Sequence, residues 1–201
     1  MNFKIILMAQ DAYLYDAFSY HFQNFADSVE VNMCYFEELD EYDCLVSPAN
    51  SFGMMDGGMD EYIIDYFGKE LERNVQQKIL QAYGGPQPIG TSFIIETNHP
   101  NFPFLAHTPT MLLPTSIQGT IHPYLAFKAM LLAVIEQNRT HDEQIEIVAC
   151  PGLGTGIGDI DPDIAANQMA TAYEYVTNLP LFDHPMAAYK YEQELLKTMK
   201  R

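Results

Sequence analysis

Hydrophobic positions along this chain switch repeatedly between a strand-like and a helix-like spacing, and each switch marks a predicted element. Phe3 to Ala9 is a nearly unbroken apolar run, read as a strand. Leu14, Phe18, Phe22 and Phe25 then follow at steps of four, four and three, the spacing of one helical face. Val29 to Cys34 alternates like a second strand, and Cys44 to Val46 is a brief buried one. Glu61 to Tyr83 is rich in helix formers, breaks at Gly68 and stops at Gly84-Gly85-Pro86. Thr91 to Glu96 and Phe104 to His107 are two further strands around an Asn-His-Pro-Asn turn.

Ile121 to Ile135 is apolar almost all round, which suits a helix covered by both a sheet and another element. Ile145 to Ala149 is strongly β-branched and leads into a glycine-rich loop, after which Ala165, Met169, Ala172, Tyr173 and Val176 repeat with helical spacing. Ala187, Tyr191, Leu195 and Met199 stand four apart and predict a last amphipathic helix at about 183–201. Strands alternating with helices argue for an α/β protein: a three-layer α/β/α sandwich on a mixed, largely parallel central sheet, with its ligand site at the strands' C-terminal ends. At 201 residues the chain is expected to form one domain, 1–201.

Composition narrows the function classes. Hydrophobic residues make up 48% and charged ones 18%, as in a globular protein, and no apolar stretch is long enough to cross a bilayer. The first nine residues lack the basic start, apolar core and cleavage site of a secretory signal. Cys34, Cys44 and Cys150 have no metal-like spacing and are expected to be reduced core thiols of a cytoplasmic protein. The formal charge of -17, from 27 acidic and 10 basic residues, disfavours a nucleic-acid duplex or an anionic membrane as partner. Any bound phosphate must therefore be held by local backbone dipoles rather than by the protein's field.

Two glycine-bearing loops offer such dipoles. One runs from Ser47-Pro48-Ala49-Asn50-Ser51 into Gly57-Gly58; the other is Gly152-Leu153-Gly154-Thr155-Gly156-Ile157-Gly158. Glycine lets a backbone approach a ligand closely, so two such loops at one sheet edge present converging N–H groups to a diphosphate. Neighbouring chemistry has plainer explanations. The Asp159, Asp161, Asp163 alternation lacks the glycine and distal glutamate of a calcium loop, whereas Asp161 as helix cap before Pro162 accounts for it. His107 ends a strand and is expected to be a hydrogen-bonded structural histidine; the other histidines show no ligand spacing, so neither a metal nor a cofactor is called for.

Asp43-Cys44-Leu45-Val46-Ser47-Pro48-Ala49-Asn50-Ser51 with Asp56-Gly57-Gly58-Met59-Asp60 resembles the macro-domain pattern DAIVNAANxxLxGGGGVDxAI. Pro151 to Gly158 resembles that family's later PxxSTGIYG stretch, and Phe104 to Pro109 its IIHTVGP strand end; the match most resembles a bacterial subgroup. The resemblance implies an α/β/α sandwich that binds ADP-ribose or acts on an ADP-ribosylated substrate. Some members of the family hydrolyse ADP-ribosyl linkages or process ADP-ribose 1″-phosphate, and others only read the ligand. ADP-ribosyl hydrolysis is the leading expectation; a noncatalytic reader and a 1″-phosphate phosphatase are the alternatives.

Carried over position by position, the resemblance makes Asn50 and Asp60 the candidate catalytic pair. Asn50 would bond the distal ribose, with Ala49, Gly57 and Gly58 passing close beneath it. Gly152, Leu153, Gly154, Thr155, Gly156, Ile157 and Gly158 would wrap the diphosphate. A carboxylate beside a sugar can deprotonate an attacking water and offset oxocarbenium-like charge, and an amide can both donate to and accept from a hydroxyl pair. The chain departs from the pattern in three places. Ser47 and Pro48 stand where the family has NA before AN, at the ribose contacts. Cys34-Tyr35-Phe36-Glu37-Glu38 offers no clear equivalent of the family's GDIT aspartate, which bonds the adenine amine. The second loop also lacks the aromatic that stacks on the distal ribose, a place for which Phe52 is the candidate.

Overall fold

The computed structural model describes residues 1–178, 180 and 182–200. Its strands are β1 (Lys4–Ala9), β2 (Val29–Met33), β3 (Cys44–Ser47), β4 (Phe93–Glu96), β5 (Phe104–His107) and β6 (Ile147–Pro151). The helices are α1 (Ala12–His21), α2 (Met59–Phe67), α3 (Lys69–Tyr83), α4 (His122–Thr140), α5 (Pro162–Thr177) and α6 (Pro185–Thr198). The strands form one six-stranded sheet in the order β2-β1-β6-β3-β5-β4. All pairings are parallel except that of β4 with β5.

Alternation along each central strand feeds two apolar layers. Ile5, Leu7 and Ala9 of β1, Cys44 and Val46 of β3 and Val148 and Cys150 of β6 face the layer of α1, α4, α5 and α6. Met8, Leu45, Leu105 and Ala149 face the opposite layer, built on α2 and α3. A sheet buried on both faces needs apolar residues at every position, which is why its strands appear in sequence as unbroken runs. Asp11 caps α1 by accepting from Leu14 N at 2.8 Å, and Asp161 caps α5 by accepting from Asp163 N at 2.9 Å. Gly68, at φ 92°, separates α2 from α3 in a conformation that side chains resist. No helix among the described residues is long and apolar enough to cross a membrane.

Some expectations shift in detail. Phe22 and Phe25 lie beyond the end of α1, yet Phe25 still packs on the Tyr173 ring at 4.8 Å. Helix α4 is less enclosed than its sequence implies, since Leu132 stays 46% exposed. Cys44 and Cys150 are buried and their thiols pushed up by burial, whereas Cys34 follows the end of β2 and is only half-buried, so it is not a core thiol. Helix α6 is docked through Glu192, whose Oε1 accepts from Tyr124 Oη and Lys128 Nζ, each at 2.6 Å. The Lys128 ammonium also sits 4.3 Å above the Tyr175 ring.

One carboxylate fixes the register of the sheet's centre. Asp43 Oδ2 accepts from Glu146 N at 2.7 Å and Ile147 N at 2.8 Å, holding the start of β6 against β3. Asp43→Ala leaves both amides without that charged acceptor and is expected to cost roughly 1–3 kcal/mol. Urea unfolding checks this: the midpoint should fall while the m-value stays unchanged.

Candidate functional site

Because β1, β6, β3 and β5 run parallel, their C-terminal ends open onto the same side of the sheet. Pairing continues past β3 itself. Thr108 N donates to Ser47 O, Thr110 N to Ala49 O and Ser51 N to Met111 O, at 3.1, 3.0 and 2.9 Å. The chain then reverses at Asn50, whose Oδ1 accepts from Phe52 N and Met54 N at 3.1 and 3.3 Å while its Nδ2 donates to Met54 O at 2.6 Å. Helix α3 holds the loop from behind: Glu72 Oε1 accepts from Met55 N and Gln76 Nε2 donates to Gly53 O, both at 3.1 Å.

The loop enters α2 through Gly58, which has no side chain to cap the helix, so the first-turn donors are left open. The second loop leaves β6 and folds back on itself: Ile160 N donates to Gly154 O and Ile117 N to Gly158 O, at 3.1 and 2.8 Å. Its closeness requires glycine at 158, where a methyl would stand 2.5 Å from Gly154 O. The two loops meet. A methyl added at Gly57 or Gly58 would lie 3.8 or 3.7 Å from Ile157 Cδ1, so the Ile157 side chain reaches the Gly57-Gly58 backbone. Among the described residues no protein acceptor takes the N–H of Gly57, Gly58, Gly154, Thr155, Gly156 or Ile157.

Between the loops lies a cleft of about 230 Å³. Eleven of the sequence-predicted residues line it: Ala49, Asn50, Gly57, Gly58, Asp60, Gly152, Gly154, Thr155, Gly156, Ile157 and Gly158. Phe52 and Leu153 do not. The turn at Asn50 leaves Phe52 exposed, and Ile157 supplies the apolar cover instead. Leu153 is fully buried in the apolar layer beneath, anchoring the loop whose neighbours face the cleft. The Asn50 amide is largely spent on its own loop, leaving one Nδ2 hydrogen for a ligand.

Among the described residues no lysine, arginine or histidine lines the cleft, and its ionisable groups are Asp56, Asp60 and Tyr62. Asp60 is 6% exposed, and its Oδ1 accepts from Ser47 Oγ at 2.6 Å. Burial pushes its carboxyl up to about 7, with the Ser47 hydroxyl opposing the rise and the charge of Glu72 adding to it. His107 lies outside the cleft: its Nδ1–H donates to Gln87 Oε1 at 2.7 Å, its ring stacks on Phe93 at 5.3 Å, and burial pulls it down to about 3.

The sequence reading missed Gln10, Thr110, Met111 and Tyr62, which also line the cleft. Gln10 and Thr110 follow β1 and β5, so their place after parallel strands was the available signal. A hollow adjoins the cleft and shares Met8, Gln10, Met59, Tyr62 and Pro151 with it, adding Cys34, Tyr35, Phe36 and Glu37. No short pattern announces that group, because it is gathered from four separate segments.

Comparison with known proteins bears on the family and the fold. A family model described as Macro domain matches residues 46–169. An uncharacterised protein of Aquifex aeolicus (strain VF5) is 32% identical over 127 residues, 63% of this chain and 70% of its own length. One of Aeropyrum pernix is 30% identical over 131 residues, 65% of this chain and 62% of its own length. The macrodomain of Mycobacterium tuberculosis DarG superposes with a TM-score of 0.59 at 18% identity, covering 72% of this chain and 89% of that one. The Oceanobacillus iheyensis macrodomain with ADP gives 0.55 at 20%, covering 78% and 83%. Thermosipho africanus DarTG in complex with ADP-ribose gives 0.53 at 14%, covering 71% of this chain and 37% of that one.

Proposed function

This chain belongs to the macro-domain family, and on that premise we propose that its cleft binds ADP-ribose and hydrolyses an ADP-ribosyl linkage with Asp60 as general base. One observation carries the reading. Two loops distant in sequence bring N–H groups to a single cleft where, among the described residues, no protein acceptor takes them and no side chain is cationic. A diphosphate is the ligand such a cradle suits, since neutral amides supply the donors and the open first turn of α2 adds its dipole. That solved relatives carry ADP and ADP-ribose supports the same ligand. The adjoining hollow, lined by Tyr35, Glu37 and Tyr62, is too small for a base as it stands, so the adenine would have to widen it or lie at its mouth.

In the reaction, a water oxygen attacks the anomeric carbon of the distal ribose, Asp60 takes the water's proton, and the bond from that carbon to the acceptor oxygen breaks, its electron pair leaving with the acceptor, which departs as a carboxylate or takes a proton from solvent. A carboxyl pushed up to about 7 by burial is matched to that task near neutrality. The enzyme acts in the cytoplasm, where Cys34, Cys44 and Cys150 remain thiols. Incubation with an ADP-ribosylated protein is expected to release ADP-ribose above a buffer control. Asp60→Ala is expected to slow release by on the order of 100-fold or more while ADP-ribose still binds. Release unchanged in Asp60→Ala overturns the role given to Asp60. The engagement of the Asn50 amide by its own loop favours a second reading, a noncatalytic reader, which predicts saturable binding with no release.

A further inference from the structure

The cleft must accept a diphosphate with no cation among the described residues of its lining, in a chain of formal net charge -17. Two carboxylates stand in its wall. Asp56 is exposed and can be screened by solvent; Asp60 is nine-tenths buried and cannot. Among the described residues the groups around Asp60 offer nothing positive. Glu72 faces it from α3, Asp56 lies on the loop before α2, and Glu61 and Tyr62 follow it on α2. After β1 and on the second loop the polar side chains that share the cleft are the neutral Gln10 and Thr155, and from β3 the Ser47 hydroxyl is the hydrogen-bond partner of Asp60 among the described residues.

We propose that the site takes up one proton together with its anionic ligand, Asp60 being the group that receives it and Ser47 the positioning residue that sets how readily it does. The proposal rests on the reading of the cleft as an ADP-ribose site. The balance is simple: the Asp60 carboxylate, a proton from solvent and the dianionic ligand combine to give the carboxylic acid beside the bound diphosphate. The diphosphate itself has no proton to exchange near neutrality, so any uptake belongs to the protein. A charge already poorly solvated resists a second negative group beside it, and protonation removes that repulsion without moving an atom. The geometry gives Ser47 a definite direction of effect. Its hydroxyl donates to Oδ1 and so favours the ionised form, lowering the pH above which the free site must take up a proton to receive the ligand.

Capture and chemistry then pull apart with pH. Affinity is greatest where Asp60 is neutral and falls as pH rises above about 7, by at most tenfold per pH unit, whereas water activation needs the ionised carboxylate. Titration calorimetry with ADP-ribose at about pH 7.5, in buffers of different ionisation enthalpy, reads the proton number directly. The wild-type protein is expected to take up a substantial fraction of one proton, and its Kd to rise between about pH 7 and 9. Asp60→Asn is expected to bind with no uptake and a flat Kd. Ser47→Ala, which keeps the carboxyl but loses the donor, is expected to move the onset of the rise to higher pH, a readout that simple loosening of the loop would not produce. Binding with no buffer dependence, or uptake that survives in Asp60→Asn, overturns the proposal. Absence of ADP-ribose binding at about pH 6 overturns the functional reading beneath it.

Discussion

Gly156→Glu is expected to abolish ADP-ribose binding, raising Kd by on the order of 100-fold or more, while leaving the melting temperature where it was. Both halves follow from the geometry at this position. Gly156 lines the cleft, nothing lies within 4 Å of where its Cβ would stand, and its φ is outside the left-handed region, so the loop can carry a side chain there. The glutamate that fits brings bulk and negative charge to a cleft whose described residues include no cation to offset it. Gly158→Ala is the contrasting case: its methyl would stand 2.5 Å from Gly154 O and 2.9 Å from Ile117 Cγ1, so the loop itself must distort. That variant is expected to lose binding and thermal stability together. Calorimetry with ADP-ribose beside a thermal melt separates the two outcomes. Unchanged affinity in Gly156→Glu would remove the second loop from the site.

The strands were legible because a sheet covered on both faces leaves no polar position to interrupt the run. Their ends were less so. Strand β6 begins at Ile147 rather than Ile145, because Asn138 Oδ1 takes Ile145 N and Asp43 takes the next two amides. Helix α4 runs on to Thr140, past the last apolar residue of its pattern, where solvent-facing turns carry no hydrophobic signal. The meeting of the two loops follows from both succeeding neighbouring parallel strands, a relation visible once the alternation of elements is read. What sequence did not carry was the use each side chain makes of its surroundings. Asn50 has the right chemistry for a ribose, yet its own turn consumes most of it. Phe52 has the right ring, and the turn leaves it outside. Ser47 stood as a departure from a motif, whereas in space it is the partner of Asp60.

Asp60→Asn is expected to stabilise the ligand-free protein at neutral and alkaline pH and to leave its stability nearly unchanged near pH 4. The sign follows from where the proton sits. Below the ordinary value of 3.8 the carboxyl is protonated both folded and unfolded, and burial carries no charge penalty. Between 3.8 and about 7 the unfolded chain releases the proton while the folded one keeps it, so stability declines as pH rises; above about 7 both states are ionised and the penalty is complete. Its ceiling is roughly 4 kcal/mol. Asparagine keeps an oxygen to accept from Ser47 and removes the titrating charge, so the variant escapes the decline. Urea unfolding of both proteins at about pH 5 and 8 checks this: the gap should widen with pH. A gap of constant size would trace to packing, and a less stable variant would show that the buried carboxylate is not strained at all. A carboxylate that lowers the stability of its own fold at neutral pH is better accounted for by chemistry in the cleft than by architecture, since a structural role would be served as well by the amide.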